Sequence, residues 1–339
     1  MEKLKVGVIG LRMGEAHLKG YEASNRAEVV AVCDIDRPRL NEILEDREGI
    51  DGYIDYTRML QRDDLQAVSI ALPNYLHAPV TIEALGEGKH VLCEKPMAMN
   101  AEEAQEMKDT ADEAGLTLML HFNMRFMTTA CTVQPLVEEG KLGTVYHATT
   151  TYTRRDGYPK PGSWFGQRTK SGGGPLIDLG VHRLDLALWL MGYPRPVCVL
   201  GNNYDHMARK KLDGVAFDCE DFSASLIRFD NGSTLYLTAS WDGHQREKTE
   251  QTMRLYGTKG SVFEEGGTVS YCTGKDGEPV SHDLELKESE ESPQDHFVRS
   301  ILDDTPPGPS AEHGIIVMKI LDAIYESARS GEAVNLRQE

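Results

Sequence analysis

The 339-residue chain is short of basic charge, of clustered cysteine and of long apolar runs. Lysine and arginine number 36 against 54 aspartates and glutamates, a formal charge of −18. That balance leaves no basic stripe to displace the counterions of a nucleic acid, so polyanion partners are excluded. Cys33, Cys93, Cys131, Cys198, Cys219 and Cys272 are scattered with no Cys-x-x-Cys pair, which points to reduced, mostly buried thiols rather than a zinc knuckle or a disulfide scaffold. Met1 to Lys5 run straight into Val6-Gly7-Val8-Ile9, too short an apolar segment for a signal-peptide core or a membrane span. A soluble, cytoplasmic protein with no membrane partner is expected. Internal repeats and low-complexity tracts are absent.

A chain of this length divides into about two domains. Up to residue 122, apolar runs at 6–9, 29–33, 67–72, 91–93 and 116–121 alternate with helix-period segments at 79–86 and 101–114. This is the pattern of a doubly wound parallel sheet with crossover helices. Asn100 stands as N-cap of the second helix, with Glu102 and Glu103 in its first turn. Beyond 122, a helix at 128–139 leads into alternating runs at 145–153, 197–204, 222–229, 234–241 and 252–256, with Asn231-Gly232 as a hairpin turn. The expected second domain, 123–339, is therefore α/β with a large, open, mostly antiparallel sheet. A final helix is expected at 314–330, and Glu285 to Glu291 reads as a solvated loop.

Two local patterns carry chemistry. Gly10-Leu11-Arg12-Met13-Gly14 follows the first strand and opens a helical segment, where a dinucleotide fold sets pyrophosphate against a helix N-terminus. Arg12 occupies the place of the second glycine of G-x-G-x-x-G; its side chain either obstructs the phosphate or pairs with it. Asp34 ends the second strand, 24 residues after Gly10, near the spacing at which an acid binds the adenosine ribose hydroxyls. That favours NAD over NADP, with Arg37 as a residue able to accommodate a 2′-phosphate. The second pattern is Gly172-Gly173-Gly174-Pro175-Leu176-Ile177-Asp178-Leu179-Gly180-Val181-His182. Pro175 suits a first helical turn, Gly192 closes the apolar run, and Asp178 and His182, four apart, share one helix face. Asp178 complements the helix dipole or serves as an acid; His182 is a core histidine or a base. Asp185, three residues on, steadies the imidazole or does surface or capping duty.

Ala71-Leu72-Pro73-Asn74-Tyr75-Leu76-His77, Cys93-Glu94-Lys95-Pro96, Asn123-Met124-Arg125-Phe126, the Gly-Gly-x-x-x-Asp-x-x-x-His segment and Ile324-Tyr325-Glu326-Ser327-Ala328 together resemble the glucose-fructose oxidoreductase / inositol dehydrogenase (Gfo/Idh/MocA) family, over residues 4 to about 336. The resemblance implies an NAD(P)-binding Rossmann domain at 1–122 and a glyceraldehyde-3-phosphate-dehydrogenase-like α/β domain at 123–339. The site is then expected in the crevice at the carboxyl ends of the parallel strands. It further implies hydride transfer between NAD(P) and a secondary alcohol or ketone of a polyol, sugar or inositol, with Lys95, Asp178 and His182 as catalytic residues. A cis peptide at Lys95-Pro96 is also implied.

Cofactor contacts are expected from Gly10, Leu11, Arg12, Met13, Asp34, Arg37, Pro73, Asn74, His77, Glu94, Lys95 and Asn123. For His77 a helix-terminal hydrogen bond is an equal reading. Arg154, Trp164, Arg168 and Trp241, with Lys95, Asp178 and His182, are substrate-pocket candidates, since aromatic faces stack on sugar rings and guanidinium groups bind hydroxyls. The first three of these and Trp241 are equally consistent with plain packing. No metal is expected. Two other readings of the same residues are a glycosidase that oxidises its substrate transiently with NAD, and a nucleotide-sensing regulator. The open sheet points to a homodimer or homotetramer.

Overall fold

The computed structural model describes residues 3–160, 162–212, 214–275 and 278–336. Two compact units emerge, one formed by the chain up to Phe122 together with Glu290–Ile315, the other by Asn123–Ser289 and the chain from Ile316 on.

The first unit holds a six-stranded sheet of β1 (Leu4–Ile9), β2 (Ala27–Cys33), β3 (Asp51–Tyr53), β4 (Ala67–Ile70), β5 (His90–Cys93) and β6 (Leu118–Leu120), in the order β3-β2-β1-β4-β5-β6. Every pairing is parallel. β1 and β4 are buried along nearly their whole length, as strands covered by helices on both faces must be, and continuous apolar runs specify them. β3 carries no such run: Asp51 and Gly52 are exposed on the sheet edge, so periodicity does not reveal it. Asn100 caps the helix Ala101–Ala114 as expected, accepting the Glu103 amide at 2.9 Å, while the Glu103 carboxylate accepts the Met99 amide at 3.1 Å.

The segment Glu290–Ile315, expected in the second domain, packs with the first. Ser292 caps the helix Pro293–Leu302, which buries Phe297 and Val298. Gln294 lies so close to Gly20 of the helix Gly14–Ala23 that a Cβ there would strike its side chain. Such a long-range return leaves no local signal in composition or spacing.

The second unit is built on a nine-stranded sheet of β7 (Val145–Arg154), β8 (Pro196–Tyr204), β9 (Phe222–Phe229), β10 (Thr234–Ser240), β11 (Thr249–Gly257), β12 (Ser261–Glu265), β13 (Thr268–Lys275), β14 (Glu278–Asp283) and β15 (Val334–Asn335). Its order is β14-β13-β12-β11-β7-β10-β9-β8-β15, antiparallel except between β7 and β10. Asn231 and Gly232, at φ 84°, turn β9 into β10. β12, β13 and β14 extend the sheet beyond the strands expected from alternation. One face is covered by the helices Val181–Leu190 and Ala311–Ser330, the latter setting Ile324 against Gly201. The other face carries a row of rings, Tyr236, His147, Tyr256 and Phe263, with neighbouring centroids 5.6–5.8 Å apart. All six cysteines are unpaired. No helix among the described residues is long and apolar enough to cross a membrane.

Candidate active site

In the first unit, Gly10 has φ 88° and sits so close to the Ala71 carbonyl that a Cβ would collide with it. The Leu11 amide donates to Asp34 Oδ2 at 2.7 Å, and the Asp36 amide donates to Oδ1 at 2.8 Å. The carboxylate at the end of β2 thus fixes the loop that precedes the helix Gly14–Ala23. Arg12 does not block that loop: its side chain is 84% exposed and faces Asp36 at 3.6 Å. Arg37 is exposed. Arg39 hydrogen-bonds the Leu11 carbonyl, Glu15 and Glu42. Glycine turn, helix N-terminus and strand-end acid together fit a dinucleotide.

Pro73 leads into a 3₁₀ turn, Asn74–Leu76, in which Asn74 is buried. His77, also buried, has Nδ1 2.7 Å from the Pro96 carbonyl and Nε2 2.8 Å from the Leu72 carbonyl. Carbonyls only accept and burial pushes the His77 pKa down, so the neutral ring, with one N–H, donates to one of the two, the Pro96 carbonyl being the nearer; this cross-loop contact stands beside the helix-terminal reading. Lys95-Pro96 is cis. Glu94 is buried, with Oε1 2.9 Å from His121 Nδ1 and 3.0 Å from His17 Nε2. His17, Glu94 and His121 place metal-donor atoms within 4.8 Å of one another, a cluster that local spacing could not suggest because its members are 77 and 27 residues apart.

In the second unit, the segment carrying the acid/base pair opens with a π-helical turn, Leu176–Gly180, before the α-helix Val181–Leu190. Single π turns recur at functional sites, and Asp178 lies in this one. Trp241 is fully buried and donates through Nε1 to Asp178 Oδ2 at 2.9 Å. It packs with Leu179 and Cys219 against Tyr152, Tyr158, Phe165 and Phe217. The indole therefore holds the acid and offers no face to a sugar ring, which corrects its assignment as a stacking surface.

The glycines before the turn have a structural reason. A Cβ on Gly173 would run into the Tyr325 hydroxyl, and one on Gly174 into the Glu220 carbonyl. Glu220, 3% exposed, accepts the Gly174 amide at 2.8 Å and the Leu176 amide at 3.3 Å. It also accepts the Tyr325 hydroxyl at 2.9 Å and Arg168 at 3.1 Å. This carboxylate satisfies the first amides of the π turn. Arg168 is thereby an ion-pair partner of Glu220, seated over the Tyr325 ring at 5.1 Å. Close packing on Tyr325 and Glu220 is what requires glycine at 173 and 174.

The remaining candidates are distributed as follows. Arg154 lies over the Tyr152 ring and donates to its hydroxyl at 3.2 Å. Trp164 is half-buried and stacked on Phe165 at 3.9 Å. The side-chain oxygen of Asn123, at the start of the 3₁₀ turn Asn123–Phe126, is buried and accepts no hydrogen bond among the described residues. Asp185 neither steadies His182 nor sits on the surface. It is fully buried and paired with Arg125 at 2.6 and 2.9 Å, with Tyr193 donating to the same carboxylate. Glu220, Trp241 as a donor, His17 and His121 are the groups that sequence reasoning missed; each acts across a long sequence separation.

Residues 4–122 match the model of an oxidoreductase family with an NAD-binding Rossmann fold, and 131–263 match the GFO/IDH/MocA C-terminal domain. D-glucoside 3-dehydrogenase of Escherichia coli strain K12 is 31% identical, with 98% of this chain and 97% of that protein aligned. Levoglucosan dehydrogenase of Pseudarthrobacter phenanthrenivorans is 29% identical over 77% of this chain and 73% of its own. A solved levoglucosan dehydrogenase in complex with NADH and levoglucosan superposes with a TM-score of 0.88 at 26% identity, covering both chains fully. With a glycine turn, a strand-end acid, a Glu-Lys-cis-Pro segment and an Asp/His helix in place, and with both domains matched, the chain belongs to the Gfo/Idh/MocA family of NAD-binding oxidoreductases.

Proposed function

We propose that the protein is a dehydrogenase that moves a hydride between NAD and a secondary alcohol or ketone of a glycoside or anhydro sugar. The observation that carries this reading is Asp178, held by Trp241 on the π turn one helical turn before His182. A bound nicotinamide would supply the hydride acceptor. His182 takes the hydroxyl proton, a role suited to a side chain that titrates near neutrality. Lys95 stabilises the developing alkoxide as a cation. Asp178, its position fixed by the indole N–H, accepts a hydrogen bond from a neighbouring hydroxyl and orients the sugar. In the reducing direction His182 gives the proton back.

NAD rather than NADP is favoured because the Asp34 carboxylate retains lone pairs for ribose hydroxyls and repels a 2′-phosphate. The nearby Arg12 and Arg39 are already paired with Asp36, Glu15 and Glu42. Glycosides and anhydro sugars are the proposed substrates because the similar enzymes are named for acting on them. The ring-bearing sheet face, with Tyr236 51% and Leu200 50% exposed, is proposed as the contact that forms a homodimer or homotetramer. A cytoplasmic location fits the unpaired cysteines.

A panel of methyl glucosides, levoglucosan, aldoses and inositols, assayed with NAD and NADP for absorbance of the reduced cofactor, tests the reading. NAD-linked oxidation of at least one glycoside or anhydro sugar is expected. Failure of every panel member, with both cofactors and in both directions, contradicts it.

A further inference from the structure

Three of the eleven histidines lie buried around the end of β5: His17 is 0%, His77 1% and His121 8% exposed. An ionised carboxylate only accepts hydrogen bonds, so the two ring nitrogens that reach Glu94 Oε1 must both donate. That requirement sets His17 as the Nε2–H tautomer and His121 as Nδ1–H. The opposite nitrogens then accept. His17 Nδ1 takes the Ser69 hydroxyl at 3.1 Å, Ser69 Oγ takes Tyr21 at 2.8 Å, and His121 Nε2 takes the Gln294 amide at 3.3 Å. Every donor has an acceptor with both imidazoles neutral and Glu94 ionised. Burial, helped by His121, pushes His17 down; for Glu94 burial opposes ionisation, but the two histidines outweigh it and hold the carboxyl well below its usual range.

Two histidines and a glutamate are also a zinc donor set. However, both nitrogens lie 2.9–3.0 Å from one oxygen, closer than the ~3.3 Å between donors on a tetrahedral ion with bonds of ~2.0 Å. The rings are packed on each other with centroids 4.2 Å apart. The arrangement is that of hydrogen bonds.

The second oxygen of Glu94 accepts the Lys95 amide at 3.0 Å. On the other side of Lys95, the Pro96 carbonyl is engaged by His77. The main chain that carries the lysine is thus gripped before and after it by buried imidazoles, directly at Pro96 and through Glu94 at its own amide. Lysine has a long, flexible stem, so where its ammonium points depends on how firmly its origin is held.

We propose that Glu94, oriented by His17 and His121, is a positioning residue that fixes the main chain at Lys95 and thereby the aim of its ammonium group. The proposal rests on the assignment of Lys95 to alkoxide stabilisation, and its test separates the two. Glu94→Gln should lower kcat ten- to a hundredfold with methyl β-D-glucoside as probe while the NADH Kd stays within twofold. His121→Gln, a second route to the same network, should act in the same direction. In the Lys95→Ala background, Glu94→Gln should have no further effect, because a group that acts through lysine has nothing left to act on. Two readouts need no turnover. Nitrogen-15 histidine spectra should give the Nε2–H and Nδ1–H tautomers for His17 and His121, and amide exchange at Lys95 should quicken at least tenfold in Glu94→Gln.

Additive effects of Glu94→Gln and Lys95→Ala, opposite tautomers, or unchanged exchange would overturn the proposal. So would stoichiometric zinc in the purified protein that Glu94→Gln or His121→Gln loses. Near-normal turnover in Lys95→Ala itself would instead remove the catalytic assignment, and the tautomer and exchange readouts would still decide the positioning claim.

Discussion

Glu94 in the first unit and Glu220 in the second are buried carboxylates beside residues assigned to catalysis, yet their ionised forms are stabilised by different chemistry. Glu220 accepts two backbone amides, a tyrosine hydroxyl and the guanidinium of Arg168, so its charge is matched by a permanent cation. Glu94 accepts one amide and two imidazoles, groups that complete its hydrogen bonds while remaining neutral. One brace carries its own counter-charge in Arg168. The other is held by two buried imidazoles, without a guanidinium or ammonium partner among its hydrogen bonds to the described residues. Catalytic side chains can be held by either means, and the two should fail under different perturbations.

The largest effect is expected where the compensated brace is attacked sterically. Gly173→Ala drives a methyl group into the Tyr325 hydroxyl and displaces it from Glu220. Overpacking of this kind costs roughly 3 kcal/mol, to be read as a lowered urea midpoint at unchanged slope; an unshifted midpoint would show that the glycines serve something other than packing on Tyr325. Next comes Trp241→Phe, which keeps most of the buried ring but removes the N–H held by Asp178. A hydrogen bond to a charged group contributes about 1.5–3 kcal/mol, so kcat should fall about tenfold or more with the NADH Kd unchanged.

The smallest effect sharpens the contrast in pH response. His17 has its folded pKa lowered, chiefly by burial, so below about pH 6.5 the unfolded chain takes up a proton that the folded one refuses. Glu94 is also lowered, the histidines outweighing burial; its contribution is present above about pH 4.3 and is lost as pH falls through the folded value. Both signs make stability rise with pH across the acid range. Denaturant titrations from pH 3 to 7 should show that slope, and the part of it below about pH 4.3, which Glu94 supplies, should flatten in Glu94→Gln but persist in Arg168→Ala.

The parts of the molecule that were legible in the sequence are those governed by local repetition. Parallel strands such as β1 and β4 are buried on both faces and read as continuous apolar runs, and the helix carrying His182 follows the apolar periodicity, whereas the π turn around Asp178 departs from the α-helical spacing read there. Gly10 and Asp34 were legible through their distance along one βαβ unit. What could not be read joins distant segments. Trp241 meets Asp178 across 63 residues, Glu220 meets Gly174 across 46, and His17 meets Glu94 across 77. An aromatic near a proposed site looks like a sugar platform until its burial is known, and for that reason Trp241 was open to both a stacking and a packing reading, of which burial favours the second. Asp185 was misread for the same cause, since its partner Arg125 lies in the 3₁₀ turn before the helix Thr128–Glu138.

The central claim is net oxidation of a sugar hydroxyl with NAD by a chain that uses Lys95 and His182. It is tested most directly by incubating the protein with NAD and methyl β-D-glucoside deuterated at its ring carbinol carbons. The expected result is deuterium recovered in the reduced cofactor, one equivalent per keto sugar formed, with the glycosidic bond intact and turnover lost by orders of magnitude in His182→Ala. Cleavage of the glycoside without net reduced cofactor, or undiminished turnover in that variant, would contradict the account.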